Sequence, residues 1–143
     1  MSFKINIGTK EGKTYKFETE SEGLVGKALG DKISGKDVSK DFDGYEFEIT
    51  GTSDKSGFTS MKNVEGIGLK KVLLTYGKSM HKRSKKEGKR KRSNPTPGGL
   101  RLRKTVRGKV ISTAITQINL KLIKEGSKKI KEIFPEAPKE IPA

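Results

Sequence analysis

Apolar residues alternate with polar ones over several short stretches of this chain. Phe3, Ile5 and Ile7 alternate with Lys4 and Asn6, and after a glycine-containing turn over 8–12 Tyr15 and Phe17 alternate with Lys16 and Glu18. A period of two places one set of side chains on one face of a pleated strand, so this pair of stretches predicts a β-hairpin. Tyr45, Phe47 and Ile49 repeat the pattern and precede a Gly/Ser/Asp turn over 51–57. Leu69, Val72 and Leu74 predict a further strand that ends at Gly77. Aromatic and β-branched residues at such positions suit a half-buried sheet surface.

Other stretches are less regular. Over 22–35, Leu24, Val25, Ala28, Leu29 and Ile33 have helix-like spacing interrupted by Gly23, Gly26 and Gly30, which predicts a short helix or a turn. Ile111, Ile115, Ile118 and Leu122 fit a helical repeat, whereas Ile118, Leu120 and Leu122 alternate as a strand. Periodicity does not decide between them. The β-branched content between Gly108 and Gly126 favours two strands across a turn. A short helix over 127–134 with Ser127 as N-cap is expected next, then a frayed tail interrupted by Pro135, Pro138 and Pro142. Short strands between glycine-rich turns predict a mainly β fold, a small β-barrel-like or sandwich domain with a long basic loop and one or two short helices. The expected division is one domain over 1–130 and a tail over 131–143.

Charge changes this picture. Between residues 78 and 109 lie fourteen cations, Lys78, Lys82, Arg83, Lys85, Lys86, Lys89, Arg90, Lys91, Arg92, Arg101, Arg103, Lys104, Arg107 and Lys109, against the single acid Glu87. This segment supplies +13 of the +15 net charge, so the rest of the chain is nearly neutral. Concentrated positive charge fits a polyphosphate partner, because each neutralised phosphate releases counterions and adds salt-sensitive affinity. The segment is split by Asn-Pro-Thr-Pro-Gly-Gly at 94–99, which excludes a continuous helix. Beyond it, Leu100, Leu102, Lys104 and Val106 alternate with Arg101, Arg103, Thr105 and Arg107, the pattern of a strand with a basic face and a partly apolar back. Residues 82–92 are expected to form an arm that the polyanionic partner orders, while Arg101, Arg103, Lys104 and Arg107 contact phosphates from a fixed strand. The alternative is a solvated loop that only aids solubility.

The remaining chemistry is sparse. The sequence contains no cysteine, which excludes disulfides, thiolate metal sites and thiol nucleophiles. His81 is the only histidine and has no patterned acids beside it, so a surface or RNA-contacting role is expected rather than a metal site. Asp41, Asp43 and Asp54 sit in turn-like sequence, where aspartate commonly bonds its own backbone. Tyr15, Phe17, Tyr45 and Phe47 offer a base-stacking platform on one reading and alternating core aromatics on the favoured one. Gly66 and Gly68 lack the Gly-Lys-Ser/Thr that a phosphate-binding loop requires. No catalytic residue, cofactor or metal is expected. The start lacks the apolar run of a secretory signal, and the longest apolar stretches fall far short of the roughly 20 residues that span a bilayer, so no membrane partner is expected.

Three stretches, in order, resemble a known family. They are Ile49 to Lys62 (ITGTSDKSGFTSMK), the pair Gly88 to Ser93 (GKRKRS) and Arg103 to Gly108 (RKTVRG), and Ile118 to Ile130 (INLKLIKEGSKKI). Together they are similar to the archaeal and eukaryotic small-subunit ribosomal protein family numbered six, the e type, over about 3–130. The chain departs from that pattern at Thr59 and Ser60, where the family usually has proline after Gly-Phe, and in the Asn-Pro-Thr-Pro-Gly-Gly insertion. Its ending, EIFPEAPKEIPA, lacks the long basic, phosphorylated helix of the eukaryotic members, which implies an archaeal member. The resemblance implies a non-enzymatic structural constituent of the small ribosomal subunit. Its implied partners are ribosomal RNA and neighbouring ribosomal proteins, in the cytoplasm, and the expected state off the ribosome is monomeric. The rival readings are a free-standing RNA- or DNA-binding β-barrel module and an RNA-processing nuclease. The nuclease would need clustered or paired carboxylates that the sequence does not offer.

Overall fold

The computed structural model describes residues 2–80 and 99–134. Seven strands dominate: β1 (Phe3–Gly8), β2 (Thr14–Thr19), β3 (Lys32–Ser34), β4 (Glu46–Asp54), β5 (Leu69–Thr75), β6 (Arg101–Arg107) and β7 (Ile115–Lys124). Two one-turn helices, α1 (Gly35–Val38) and α2 (Ile130–Ile133), and two 3-10 turns at Glu22–Leu24 and Lys40–Phe42 complete the described elements. The fold is therefore mainly β, as the alternation predicts.

Five strands form a mixed sheet in the order β2-β1-β7-β4-β3. The predicted hairpin is present, with Ile5 opposite Phe17 and Ile7 opposite Tyr15. β7 lies in the centre, parallel to β1 and antiparallel to β4. β2 and β3 remain as edges, so among the described residues the sheet does not close into a barrel and the expected barrel is an open sheet. One face packs the core through Ile5, Ile7, Phe47, Ile49, Ile118 and Leu120, each at most 2% exposed. The covering layer comes from the 3-10 turns and short helices, including Leu24, Val38, Phe42 and Ile130. Rings of Phe17, Phe42, Tyr45, Phe47 and Phe134 meet at centroid distances of 5.4–5.9 Å. Tyr15 stacks on Phe134 at 5.3 Å. Offset and edge contacts of this kind add to the burial of the rings themselves, and they assign Tyr15, Phe17, Tyr45 and Phe47 to the core rather than to a base-stacking platform.

Several boundaries differ from the sequence reading. The turn expected from Gly51 begins only after Asp54, because β4 continues to that residue opposite β7 with register shifts that absorb Thr50. The stretch 22–35 forms no helix of its own beyond the 3-10 turn; it contains the short edge strand β3, and α1 begins at Gly35. Instead of two strands between Gly108 and Gly126 there is one ten-residue strand, β7. Its upstream neighbours 109–111 make a short antiparallel bridge to 26–29 instead. The last helix starts at Ile130 with Lys129 at the N-cap position, and not at Ser127, and no side chain caps it. Just upstream, Gly126 passes so close to Asp43 that an added Cβ would lie 2.1 Å from the Asp43 carbonyl oxygen. The arm over 82–92, His81 and the proline-containing tail from residue 135 lie outside the described residues.

Candidate nucleic-acid interface

β5 and β6 pair with each other as a separate antiparallel ribbon, from Leu69 opposite Arg107 to Thr75 opposite Arg101. Their sequences, LKKVLLT and RLRKTVR, contain six cations and no acid. The register divides these between two faces, since side chains alternate along each strand. One face carries Val72, Leu74, Leu102 and Val106, which are half-buried or buried, with Lys70 and Lys104 exposed beside them. The other carries Lys71, Arg101 and Arg103, all exposed, together with Leu69 and Leu73, which are about half-exposed at 47% and 53%. Among the described residues the side chains of Arg101, Arg103 and Lys104 enter no hydrogen bond or ion pair.

Both ends of the ribbon are tied to the body. At one end the short segment 59–61 bridges β4 to β6. Ser60 N–H donates to the Thr52 carbonyl at 3.1 Å, Arg107 N–H to the Thr59 carbonyl at 2.9 Å and Met61 N–H to the Arg107 carbonyl at 3.1 Å. The hydroxyls of Thr52 and Ser60 bond at 2.5 Å in the interior beneath this bridge. Lys109 N–H reaches the Val64 carbonyl at 2.8 Å, and Gly108 passes so close to Gly66 that an added Cβ would lie 1.9 Å from its carbonyl oxygen. At the other end, Gly77 and Met80 exchange backbone hydrogen bonds in a turn that buries Met80 and brings the Ser79 hydroxyl against that of Thr59. Val64, Met80 and Val106 are buried here, outside the main core cluster.

Arg107 is used internally. Its Nε donates to Asp54 Oδ2 at 2.7 Å and Nη1 to the Ile67 carbonyl at 3.2 Å, with the Asp54 side chain only 4% exposed. Asp54 also accepts from the Phe58 N–H at 2.8 Å, which is the turn role predicted for it. Burial pushes the Asp54 carboxyl up, yet hydrogen bonds from Arg107, Phe58 and Ser56 and the nearby guanidinium charge outweigh that and hold it below its ordinary 3.8. The other singled-out acids are peripheral: Asp43 pairs with Lys36 at 3.4 Å on the surface, and Asp41 is exposed in the 3-10 turn.

The fourteen cations of the basic segment thus separate structurally. Arg101 and Arg103 share an exposed face and Lys104 stands on the opposite one. Arg107 is committed to Asp54, and Lys109 to Glu65 at 3.0 Å. Lys78 donates to the Thr50 carbonyl at 3.3 Å, on the open face of the five-stranded sheet. The remaining eight lie outside the described residues. Lys70 and Lys71 extend the basic surface although they precede the charge-dense segment; the signal for them was their position in an acid-free strand that pairs with β6.

The family model described as ribosomal protein S6e matches residues 3–135. A small ribosomal subunit protein eS6 from Methanococcus maripaludis strain C7 is 41% identical over 128 residues, 89% of this chain and 91% of the relative. The eS6 proteins of Methanoculleus marisnigri and Methanothermobacter thermautotrophicus are each 36% identical, over 96% and 94% of this chain and 98% and 96% of their own lengths. With a family model spanning nearly the whole chain and relatives matched over almost their full lengths, this chain belongs to the ribosomal protein S6e family.

Proposed function

We propose that this chain holds small-subunit ribosomal RNA through the exposed cations of the β5/β6 ribbon and the basic arm over 82–92. The coarser statement follows from family membership: the chain is a structural constituent of the small ribosomal subunit in the cytoplasm and not an enzyme. The finer reading is carried by one observation. A ribbon with six cations and no acid is tied at both ends to the body, and it presents Arg101 and Arg103 exposed and unpaired among the described residues.

The chemistry suits RNA. The deep major groove of an A-form helix resists side chains, so a structural protein gains most from phosphates, 2′-hydroxyls and shape. Arginine engages phosphate oxygens with a planar fork, and a strand fixes where that fork begins. On this reading residues 1–130 act as one domain, the segment 78–109 is its RNA-binding insertion and strand, and neighbouring ribosomal proteins lie alongside.

Sucrose-gradient sedimentation tests it. The unaltered, tagged chain should stay with small subunits until high salt. A variant with the basic residues of 82–92, Arg101 and Arg103 replaced by alanine should leave that peak at lower salt. Release of both at the same salt would overturn the reading.

A further inference from the structure

The core-packing face of the five-stranded sheet is covered, whereas among the described residues no strand or helix packs on its other face, where Lys78 reaches over the buried Gly51 and a half-exposed amide array is fixed. Asn6 on β1, Gln117 and Asn119 on β7 all point away from the core, and the parallel register of β1 and β7 sets Asn6 opposite Asn119. Asn6 Nδ2 donates to Asn119 Oδ1 at 3.2 Å, and Gln117 Nε2 donates to the same oxygen at 3.0 Å. Asn119 is thereby locked from two sides. Its own two amide hydrogens, and the side-chain oxygens of Asn6 and Gln117, have no partner among the described residues. The residue of β4 facing Asn119 is Gly51, which has no side chain to cover it. A Cβ at Gly51 would find only Asn119 Nδ2 at 3.7 Å and Lys78 Nζ at 3.8 Å, which are ordinary contacts.

We infer that this amide array is a second RNA-contacting surface, one that reads 2′-hydroxyls and base edges in a shallow A-form minor groove rather than phosphates. The inference rests on the RNA-binding reading above. Three observations select this occupant. Part of the charge on the face is compensated, since Lys4 stands opposite Glu18 and Lys121 opposite Glu48, while Lys16 opposite Asn6 and Lys32 on β3 leave it modestly basic, so phosphate attraction surrounds the amides without replacing them. Among the described residues the large exposed apolar side chains, Val25, Ile67, Leu69, Leu73 and Tyr76, all lie off this sheet, and only the half-buried Ile123 shares the phase of Asn119, so the face offers few of the apolar anchors of a protein interface. The face is also continuous with the basic segment: Lys78, its first cation, reaches across to the Thr50 carbonyl beside Gly51. A flat surface of paired donors and acceptors complements a wide, shallow groove lined by hydroxyls that are both donor and acceptor.

The test is the salt dependence of binding to small-subunit ribosomal RNA for the unaltered chain, Asn119→Ala and Gly51→Thr. The first variant removes the array's centre, and the second covers it from a position with room for a side chain. Each should weaken binding by about threefold to tenfold at every salt concentration, the scale of one or two neutral hydrogen bonds. The slope of log affinity against log salt should not change, because no phosphate contact is lost. If Asn119→Ala fails to fold, Gly51→Thr decides. Unchanged affinity in the folded variants, beside strong salt-dependent binding by the unaltered chain, would overturn the array and leave the ribbon's role standing. A slope reduced by the variants would also overturn it. Absence of salt-dependent binding by the unaltered chain would overturn both.

Discussion

The Nε of Arg107 lies 2.7 Å from Oδ2 of Asp54, joining the end of β6 to the end of β4 across 53 residues of sequence. Asp54 is nearly inaccessible and the Arg107 side chain is 16% exposed, so the pair is a buried link between the ribbon and the sheet. Breaking such a pair on one side costs more than the pair contributes net, because the surviving charge stays in a poor environment. Arg107→Ala should destabilise the fold by about 3 kcal/mol in urea unfolding, and a double-mutant cycle with Asp54→Ala should show coupling of about 1–3 kcal/mol. Additive effects of the two substitutions would show that the contact is energetically idle.

The same carboxyl predicts an acid response. Because its pKa is lower folded than unfolded, the stabilisation it gives is present above its ordinary 3.8 and is lost as pH falls through the lower folded value. The stability gap between the unaltered chain and Asp54→Asn should stay constant from neutral pH down to about pH 5 and narrow in more acidic solution. A gap that widens on acidification has the wrong sign for this account.

Gly108 is a packing requirement and its neighbour Gly68 is not. A methyl at 108 meets the Gly66 carbonyl at 1.9 Å, which is backbone and cannot step aside cheaply, whereas nothing lies within 4 Å of a Cβ at 68. Gly108→Ala should cost at least about 2 kcal/mol and loosen the ribbon's attachment. Gly68→Ala should be neutral within about 1 kcal/mol. Thermal unfolding of the two variants side by side checks the contrast.

Tyr45 is 1% exposed and its hydroxyl donates to the Lys128 carbonyl, tying the sheet to the segment that leads into α2. Burial, with the charges of Glu125 and Glu132, raises its pKa above 10.0. Its contribution is therefore present below pH 10 and lost as pH rises through the higher folded value. Tyr45→Phe should cost about 1 kcal/mol at neutral pH and speed hydrogen exchange over 130–134. Exchange there at the unaltered rate would mean that α2 is held by the packing of Ile130, Ile133 and Phe134 without the hydroxyl.

The strands that alternate were legible because one face of each is buried: Phe3, Ile5 and Ile7 lie in the core while Lys4 is exposed, and the same period marks Phe47 and Ile49. β3 was not legible, since Lys32-Ile33-Ser34 has one apolar residue and owes its strand form to pairing with Phe47 and its neighbours. The failure of the sheet to close also depends on pairing between edges, which no local pattern encodes. For the candidate site, alternation placed Arg101 and Arg103 on one exposed face. It could not show that Arg107, in phase with them, turns to Asp54. The amide array looked like ordinary solvent-facing polarity, because only the β1/β7 register brings Asn6 to Asn119.

The most direct measurement is the salt dependence of binding between the chain and small-subunit ribosomal RNA, with Arg101→Ala/Arg103→Ala compared against the unaltered protein. Each lost phosphate contact should lower the slope of log affinity against log salt by somewhat less than one, so the double variant should lose about 1.5 units of slope with unchanged folding stability. An unchanged slope in the folded double variant would contradict the claim that the ribbon's exposed arginines hold the RNA.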